Sequence, residues 1–310
     1  MDRPSVHVVI VNWNAGRQLA ECLASFSAVG DDAVAVRITV VDNASTDGSA
    51  DALVAPPSVP LAVRRNGENC GFAAACNQGA AGSQAEFLLF LNPDTRLMPG
   101  SLAGPAAYLR AHQSAGIVGI ALLDEDGHVA RNTARAPSAW SMVGNSIGLD
   151  RLLPAVFPPH FDAAWAHDET RVVDQVMGAF FFVRRSVFEA LGGFDERFFV
   201  YFEDMDFAVR ARARGWSSVY LASARAFHRG QGTTAQATAR RTRYFCRSRI
   251  LYARKHFGAA GAAAVTVATL AFEPLARLLA RPASAASTLR AFAALWGDLP
   301  SILRRPSATP

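Results

Sequence analysis

Short apolar runs alternate with stretches of helical spacing over the first third of the chain. Four runs predict buried strands, at residues 6–11, 36–41, 61–63 and 86–91. Two stretches between them predict helices, at residues 17–26 and 72–81. Strands that alternate with helices in this way are typical of a largely parallel sheet covered by helices on both faces. We therefore predict an α/β fold.

The pattern is less regular further along the chain. Residues 124–170 show no clear period and are expected to form a variable insert over the site. Strand character returns over 172–183, a helix is predicted over 204–215, and a last strand over 216–221. Beyond residue 238 arginines recur on one side of a predicted helix, with aromatic and aliphatic residues on another.

An alanine-rich run follows at residues 259–272, and Glu273-Pro274 is expected to end it. A helix that spans a membrane needs about 20 apolar residues, so this run predicts a helix that packs on the protein or lies in a membrane interface. Residues 1–4 lack the features of a signal peptide. The expected location is the cytoplasm, free or peripheral at the inner face of the cell membrane.

Composition excludes several classes of protein. The chain has 310 residues, 51% of them hydrophobic and 18% charged, which is enough to bury a large core and argues against disorder. Its four cysteines form no C-x-x-C pair, so a disulfide scaffold or a structural zinc site is not expected. Neither G-x-G-x-x-G nor Gly-Lys occurs, which excludes the commonest NAD, ATP and GTP sites.

The net charge of +5 is divided unevenly. Residues 205–310 carry a formal charge of +14, and the rest of the chain carries −9. Such asymmetry favours contact with phosphates, nucleic acid or an anionic membrane, although a solvated arginine-rich helix would give the same count. No signature of a nucleic-acid-binding fold accompanies the arginines, so nucleic acid is not an expected partner.

Polar residues follow three of the predicted strands: Asn12, Asp42-Asn43 and Asn92-Pro93-Asp94. In open α/β sheets ligands bind at the carboxyl ends of the strands, so we expect one site there. The Asp94 carboxylate could hold a divalent cation or simply belong to a turn. Asp42 could accept the imide N–H of a uracil or thymine. An Asx turn with a helix N-cap at Ser45 or Thr46 is the alternative, and both can hold because the two roles use different residues.

A third group of polar residues lies among aromatics at residues 178–207. Three carboxylates, Glu203, Asp204 and Asp206, fall within four residues. An apolar setting raises the basicity of a carboxylate, which suits a general base. Acidic residues in the first turn of a helix, offsetting its dipole, would explain Glu203 and Asp204 equally well.

Six segments in a fixed order resemble family 2 glycosyltransferases, and in particular their bacterial rhamnosyltransferase-like branch. They are VVIVNWNAG (8–16), VDNASTDGS (41–49), NGENCGFAAACNQG (66–79), LLFLNPDT (88–95), residues 178–216, and His228 with Gly230 and Gly232. The resemblance covers residues 6–256. It implies the GT-A fold, a Rossmann-like and mostly parallel sheet flanked by helices, and an inverting, metal-dependent transfer from a nucleotide sugar.

The resemblance also implies roles for individual residues. Asp204 matches the catalytic base, with Glu203 beside it, and Asp94 and His228 match a site for Mg²⁺ or Mn²⁺. Asn92 stands where the family's D-x-D triplet begins with aspartate. The remaining matches imply a nucleotide-sugar site formed by Asn12, Asp42, Asn69, Gly71, Asn77 and Asn92. One of Arg240, Arg241 and Arg243, with Arg241 preferred, is expected to add positive charge at the diphosphate.

The function implied is transfer of a hexose in polysaccharide or cell-wall biosynthesis. The donor would be a dTDP or UDP sugar, with dTDP-L-rhamnose preferred, and the acceptor a hydroxyl of a glycan, a lipid-linked sugar or a natural product. A catalytically degenerate scaffold that binds nucleotide or an anionic membrane is the alternative. The expected domains are a transferase domain over 1–238, with its nucleotide-sugar half at 1–123 and its acceptor half at 124–238, and a basic helical extension over 239–310.

Overall fold

The computed structural model describes residues 2–27, 29, 33–51, 53–161, 165–230, 238–280 and 282–304. Eleven strands occur among the described residues: β1 (Ser5–Asn12), β2 (Ala35–Asp42), β3 (Leu61–Arg65), β4 (Phe87–Leu91), β5 (Thr95–Leu97), β6 (Ala115–Leu123), β7 (Thr133–Ala134), β8 (Arg171–Val173), β9 (Gln175–Val176), β10 (Phe180–Arg184) and β11 (Ser217–His228).

The α-helices of the described chain are α1 (Arg17–Ser25), α2 (Phe72–Ala80), α3 (Ala103–Ala111), α4 (Ala139–Ile147), α5 (Leu149–Leu152), α6 (Arg185–Ala190), α7 (Glu203–Ala213), α8 (Thr238–His256), α9 (Gly258–Val267), α10 (Glu273–Ala280) and α11 (Ala285–Leu303). A π-helical turn, Ala268–Phe272, joins α9 to α10, and a 3₁₀ turn, Pro282–Ser284, precedes α11.

The chain divides into two compact units. The first contains Met1–Ala136, Phe161–Phe199 and Glu203–Thr233. The second contains Pro137–His160, Val200–Phe202 and Thr234–Pro310, and so includes α4, α5 and the helices α8 to α11. The expected domain boundary at residues 238 and 239 stays a prediction.

The first unit contains a nine-stranded sheet in the order β3-β2-β1-β4-β10-β6-β11-β5, with β8 also paired to β11. Six of these strands run in one direction, whereas β10, β5 and β8 run in the other. Strands β7 and β9 form a separate antiparallel pair. The predicted α/β architecture with a mostly parallel sheet and a C-terminal helical region is confirmed.

Two hydrophobic layers lie on opposite faces of this sheet, because successive side chains of a strand point to opposite sides. In β1, Val8 belongs to the layer that includes α1, whereas Val9 belongs to the layer that includes α2. Gly79 lets α2 approach β1 closely, since a Cβ there would lie 2.4 Å from Val9 Cγ1. Both faces are therefore covered, as the unbroken apolar runs indicate.

The boundaries of several elements differ from the prediction. The strand expected over 172–183 is broken into three strands, of which β8 pairs with β11, β9 pairs with β7, and β10 pairs with both β4 and β6. The last strand is twice the expected length, because β11 continues to His228 and pairs there with β5. Residues 124–170 include the strand β7 and the helices α4 and α5.

The expectation that Glu273-Pro274 ends the apolar helix is wrong. Helical structure continues from Gly258 to Ala280, and a π-helical turn, Ala268–Phe272, lies directly before Pro274, where local rearrangement of the hydrogen bonds accommodates a residue without an N–H. Within the described residues this is one helix that is long and apolar enough to cross a membrane, judged only by its length of 23 residues and its composition.

Candidate active site

The carboxyl ends of β1 and β2 form the first part of the site. Asn12 and Asp42 are paired in register at the ends of these strands. Asn12 Nδ2 donates to Asp42 Oδ1 at 2.8 Å and lies 3.0 Å from Ser45 Oγ. Both side chains are buried. Asn12 Oδ1 is also buried, and among the described residues it has no hydrogen-bond partner.

The loop after β2 is shaped by its own side chains. Ser45 donates through both Oγ (2.6 Å) and its backbone N–H (3.3 Å) to the Asp42 carboxylate, which is the expected Asx turn. No helix begins within residues 43–51, so the expected N-cap at Ser45 or Thr46 is wrong. Asp47 accepts the backbone N–H of Gly16 at 2.8 Å, which ties the loops after β1 and β2 together.

The sequence interpretation did not identify the residues that build this loop pair. Asn14, in the left-handed region with φ 53°, accepts the backbone N–H of Thr46 through Oδ1 at 2.8 Å. Burial raises the pKa of Asp47, but hydrogen bonds from Ser49 and Gly16 outweigh it and hold that pKa below its ordinary value. The signal was present in the sequence as the polar runs NWNAG and STDGS.

A network of amide and thiol groups adjoins Asp42. Asn43 accepts from Asn66 Nδ2 at 2.8 Å and from Cys70 Sγ at 3.3 Å, and donates to the Gly71 carbonyl at 3.1 Å. Asn66 also donates to Gln78 Oε1 at 2.9 Å. This network fixes the segment that enters α2. Its members lie up to 35 residues apart in sequence, so only the fold brings them together.

Asn69 and Gly71 lie in the same segment. Asn69 Oδ1 accepts the Gly71 N–H at 3.0 Å. Gly71 has φ 89° and ψ 170°, a region that is essentially limited to glycine. A Cβ there would lie 2.4 Å from the carbonyl oxygen of Phe199, which accepts the Phe72 N–H at 2.6 Å. Gly71 therefore lets the start of α2 contact the chain just before the carboxylate cluster.

Asn77 holds a loop rather than presenting a free amide. Its Nδ2 donates to the Phe194 carbonyl and to Glu196 Oε1, both at 2.9 Å, and its Oδ1 accepts the Phe194 N–H at 2.9 Å. Gly193 is required beside it, because a Cβ there would lie 2.6 Å from Asn77 Oδ1. Asn77 thus fixes residues 193–196 against α2.

Asp94 and His228 are brought together by the pairing of β5 with β11, in which His228 lies opposite Thr95. His228 Nε2 lies 3.3 Å from Asp94 Oδ1, and the two side chains are 15% and 10% exposed. A carboxylate oxygen and an imidazole nitrogen at this separation fit a divalent cation such as Mn²⁺.

Asn92 follows β4, and its backbone N–H donates to the Ala179 carbonyl at 3.0 Å. Gly230 follows β11, and Gly232 lies outside the described residues.

The three carboxylates of α7 have different surroundings. Asp206 is fully buried and accepts from Arg210 Nε at 2.7 Å, and Arg210 also donates to the carbonyls of Leu191 and Gly193. Asp206 is therefore a structural residue. Glu203 is also buried, and burial, followed by its acidic neighbours, raises the pKa of Glu203 well above its ordinary value.

Asp204 is half-buried and is held by uncharged donors. Gly178 N–H donates to its Oδ2 at 2.8 Å, and Met205 N–H donates to its Oδ1 at 2.7 Å. Burial raises the pKa of Asp204, and these two hydrogen bonds, with a third from the Gln175 side chain, oppose that rise. Of the three carboxylates, Asp204 combines solvent access with raised basicity, which is the combination a general base needs.

Gln175 was not identified from sequence. It lies on β9, is 4% exposed and hydrogen-bonds the Asp204 side chain. Its Oε1 has no hydrogen-bond partner among the described residues, so the hydrogen bond to Asp204 is what orients its amide group. No local pattern marks this glutamine, because it precedes Asp204 by 29 residues.

The arginines expected at the diphosphate lie on α8, in the second unit. Arg243 donates to Asp298 at 2.7 and 2.6 Å, which occupies its guanidinium. Arg240 and Arg241 are exposed. The role given to Arg241 stays a prediction.

A third carboxylate group lies outside the predicted site. Asp124, Asp126 and His128 have potential ligand atoms within 4.8 Å of one another. Asp124 Oδ1 already accepts the backbone N–H groups of Asp126 and His128, at 3.0 and 2.9 Å. These contacts explain the cluster as a turn that follows β6.

The fold and the polar sheet edge define a nucleotide-sugar transferase of the GT-A type. The family model described as "Glycosyltransferase like family 2" matches residues 4–247, and the chain belongs to this family. A curated relative, the N-acetylglucosaminyl-diphospho-decaprenol L-rhamnosyltransferase of Mycobacterium tuberculosis, is 32% identical over 246 residues, which are 74% of this chain and 77% of that protein.

Solved structures share the fold. The mannosyltransferase PcManGT from Pyrobaculum calidifontis, in complex with GDP-Man and Mn²⁺, matches with a TM-score of 0.55 and 19% identity, over 99% of this chain and 82% of that one. TarS 1-349 from S. aureus, in complex with UDP-GlcNAc, matches with a TM-score of 0.53 and 14% identity, over 94% and 80%. The predicted family and fold are confirmed, and the chain is a member of a glycosyltransferase family.

Proposed function

We propose that this protein is an inverting glycosyltransferase that moves L-rhamnose from dTDP-rhamnose to a hydroxyl of a lipid-linked glycan. The observation that supports the catalytic part is the environment of Asp204, a half-buried carboxylate held by two backbone N–H groups beside a buried Glu203 and an ion-paired Asp206. The sugar and acceptor are supported by the relative named as an L-rhamnosyltransferase of N-acetylglucosaminyl-diphospho-decaprenol.

In the proposed mechanism Asp204 accepts the proton of the acceptor hydroxyl. That oxygen attacks the anomeric carbon from the face opposite the diphosphate, and the bond between this carbon and the diphosphate oxygen breaks. The electron pair of this bond leaves with the nucleoside diphosphate, so the configuration is inverted. The raised basicity of Asp204 favours the proton transfer, and the Gly178 and Met205 N–H groups keep its carboxylate in one orientation.

Asp94 and His228, with Asn92 nearby in the chain, are the residues that would hold a divalent cation. Mn²⁺ accompanies the sugar nucleotide in the PcManGT complex. When bound, such an ion neutralises the charge that develops on a leaving diphosphate. Asp42 and Asn12, with Asn69 and the Gly71 backbone, would form the nucleotide side of the site.

A panel of nucleoside diphosphates and their sugars tests this proposal. Thermal unfolding of the full chain is measured with each compound, with and without Mn²⁺, because a ligand of the native state raises its stability by RT ln(1 + [L]/Kd). We expect a metal-dependent rise with thymidine or uridine diphosphate. The His228→Ala variant should lose the metal-dependent part of that rise.

Turnover is measured in parallel with the Asp204→Asn variant. Asp204→Asn should abolish transfer and keep the nucleotide-dependent rise, whereas the exposed Asp168→Asn should change neither. Transfer by Asp204→Asn at a near-normal rate would remove Asp204 from the base role. A folded protein that responds to no nucleotide would instead support a degenerate scaffold.

A further inference from the structure

The most exposed positions of the helical segment Gly258–Ala280 are all apolar, and its one arginine, Arg277, has a side chain that is 40% exposed. Its exposed positions recur every three or four residues, as expected for one face of a helix. They are Gly258, Ala259, Ala260, Ala263, Ala264, Val267, Ala271, Phe272, Leu275, Leu279 and Ala280. Val267, Phe272 and Leu275 are 53–57% exposed, and Leu279 is 84% exposed. We call this set the apolar face.

Two polar residues of the same segment, Thr269 and Glu273, point inward. Thr269 and Glu273 are buried, and both contact Arg249 of α8, which is itself only 4% exposed. Arg249 Nε donates to Thr269 Oγ1 at 3.1 Å, and its guanidinium forms an ion pair with Glu273. Glu273 also accepts from Arg277 Nε at 2.8 Å.

This arrangement of polar and apolar residues is the inverse of the one found in a helix that faces water. A helix on the surface of a water-soluble protein buries its apolar face and exposes its charged one. Where the surrounding solvent is lipid, ionisable residues instead face the protein interior and pair there. The inversion therefore points to lipid as the medium that contacts this helix.

The neighbouring helix α11 extends the pattern. It exposes Leu289, Trp296 and Leu303, and a single charged side chain, Arg290. Its one acid, Asp298, forms an ion pair with Arg243 of α8. Since Glu273 and Asp298 are the only acids between residues 258 and 304, the exposed surface of both helices carries arginine and no carboxylate. That charge is complementary to anionic lipid headgroups.

The helices α4 and α5 of the same unit add more exposed apolar side chains. Trp140, Leu152 and Val156 are 58%, 75% and 51% exposed. Gly261 lets α4 approach α9, because a Cβ there would lie 3.2 Å from the Ala139 Cβ. Twelve of the sixteen exposed large hydrophobic residues identified in the described chain belong to this second unit.

The segment packs too closely on a charged helix to span a bilayer. Helix α8 contacts both α9 and α11, and its sequence carries seven Arg and Lys residues. A spanning Gly258–Ala280 would carry those charges into the hydrocarbon, which costs about 2.5–3.5 kcal/mol for each by insertion scales. A helix lying in the membrane plane leaves α8 on the aqueous side.

We propose that the apolar face, together with α11, docks in plane on an anionic lipid bilayer. This inference rests on the second unit alone and does not depend on the proposed transferase activity. The occupant is the bilayer surface itself, with the apolar side chains in the acyl boundary and Arg290 at the headgroups.

Flotation of the full chain with vesicles tests the proposal. Vesicles of phosphatidylcholine alone are compared with vesicles that also contain phosphatidylglycerol, and we expect stronger binding to the latter. Leu279→Glu should weaken binding about tenfold or more, because it removes an inserted leucine and adds a repelled charge. Arg290→Gln should weaken binding to anionic vesicles about fivefold, the effect of one cation at the surface.

The matched control is Val54→Glu. Val54 is 80% exposed, close to the 84% of Leu279, but belongs to the first unit, so this variant should bind like the unaltered chain. Leu275→Glu provides a second test of the face, and circular dichroism checks that each variant is folded. Quenching of Trp296 fluorescence by brominated anionic lipid should accompany binding and shrink in Trp296→Phe.

Four results would overturn the proposal. Absence of vesicle binding by the unaltered chain is one, and equal binding by Leu279→Glu is another. A dimer that forms without lipid and that Leu279→Glu dissociates would show that a second copy covers the face. Retention in membranes after alkaline carbonate would show a spanning helix in place of an in-plane one.

Discussion

The Gly71→Ala variant examines the contact between the start of α2 and Phe199. An alanine at φ 89° and ψ 170° costs about 1–3 kcal/mol in backbone strain. Its Cβ would lie 2.4 Å from the Phe199 carbonyl oxygen, so the two segments must separate and lose the hydrogen bond from Phe72, worth about 0.5–1.5 kcal/mol. We expect a total loss of about 2–4 kcal/mol in the free energy of unfolding.

Gly82→Ala is the matched control. Gly82 also has a positive φ, 69°, but a Cβ there meets no atom within 4 Å. Its replacement should cost only the left-handed strain, about 1–2 kcal/mol. Urea unfolding followed by circular dichroism measures both variants, and the m-values show whether the two transitions are comparable.

The Gly71→Ala and Gly82→Ala variants should also differ in transfer activity. Phe199 precedes Tyr201 and Phe202, which have φ 67° and 71°, and these lead directly into the helix that carries Asp204. We therefore expect Gly71→Ala to lower transfer more than Gly82→Ala does, at a temperature where both remain folded. The reasoning is refuted if Gly71→Ala is no less stable than Gly82→Ala.

Two further variants test the directions in which the pKa values of Asp204 and Glu203 are shifted. Gln175→Leu removes a hydrogen bond that favours the charged form of Asp204, so the acidic limb of the pH profile of kcat should move to higher pH. The control Gln113→Leu, at an exposed position, should leave that limb unchanged. If the limb of Gln175→Leu does not move, Gln175 has no positioning role. Glu203→Gln should stabilise the protein, because a carboxyl whose folded pKa is raised destabilises the fold progressively as pH rises above its unfolded value near 4.5. Thermal unfolding at several pH values should show a gain over the unaltered chain that grows with pH, and a gain that does not vary with pH would contradict this.

The buried strands were predictable because their signal is local. A run such as residues 87–91 has no polar position to leave exposed, so it must be covered on both faces wherever it pairs. The polar residues at strand ends were predictable for a related reason. Asn12 and Asp42 each interrupt such a run, and parallel strands bring their carboxyl ends to one edge of the sheet.

The position of β10 was not predictable in this way. Its apolar sequence fits a buried strand in either direction, and only the assembled sheet inserts it antiparallel between β4 and β6. The same applies to the pairing of β5 with β11, which brings His228 to Asp94 across 134 residues of chain. Register between distant strands depends on packing that no local pattern records.

The sequence by itself determined that the segment around residues 203–206 is acidic, aromatic and helical. Tertiary structure decided how the acids differ, because Arg210 pairs with Asp206 while Gly178 and Gln175 reach Asp204 from a distant part of the chain. Hydropathy likewise determined that residues 259–272 form an apolar helix. Only the tertiary structure decided that Thr269 and Glu273 face inward against α8, since burial depends on the neighbours that a helix meets and not on its own composition.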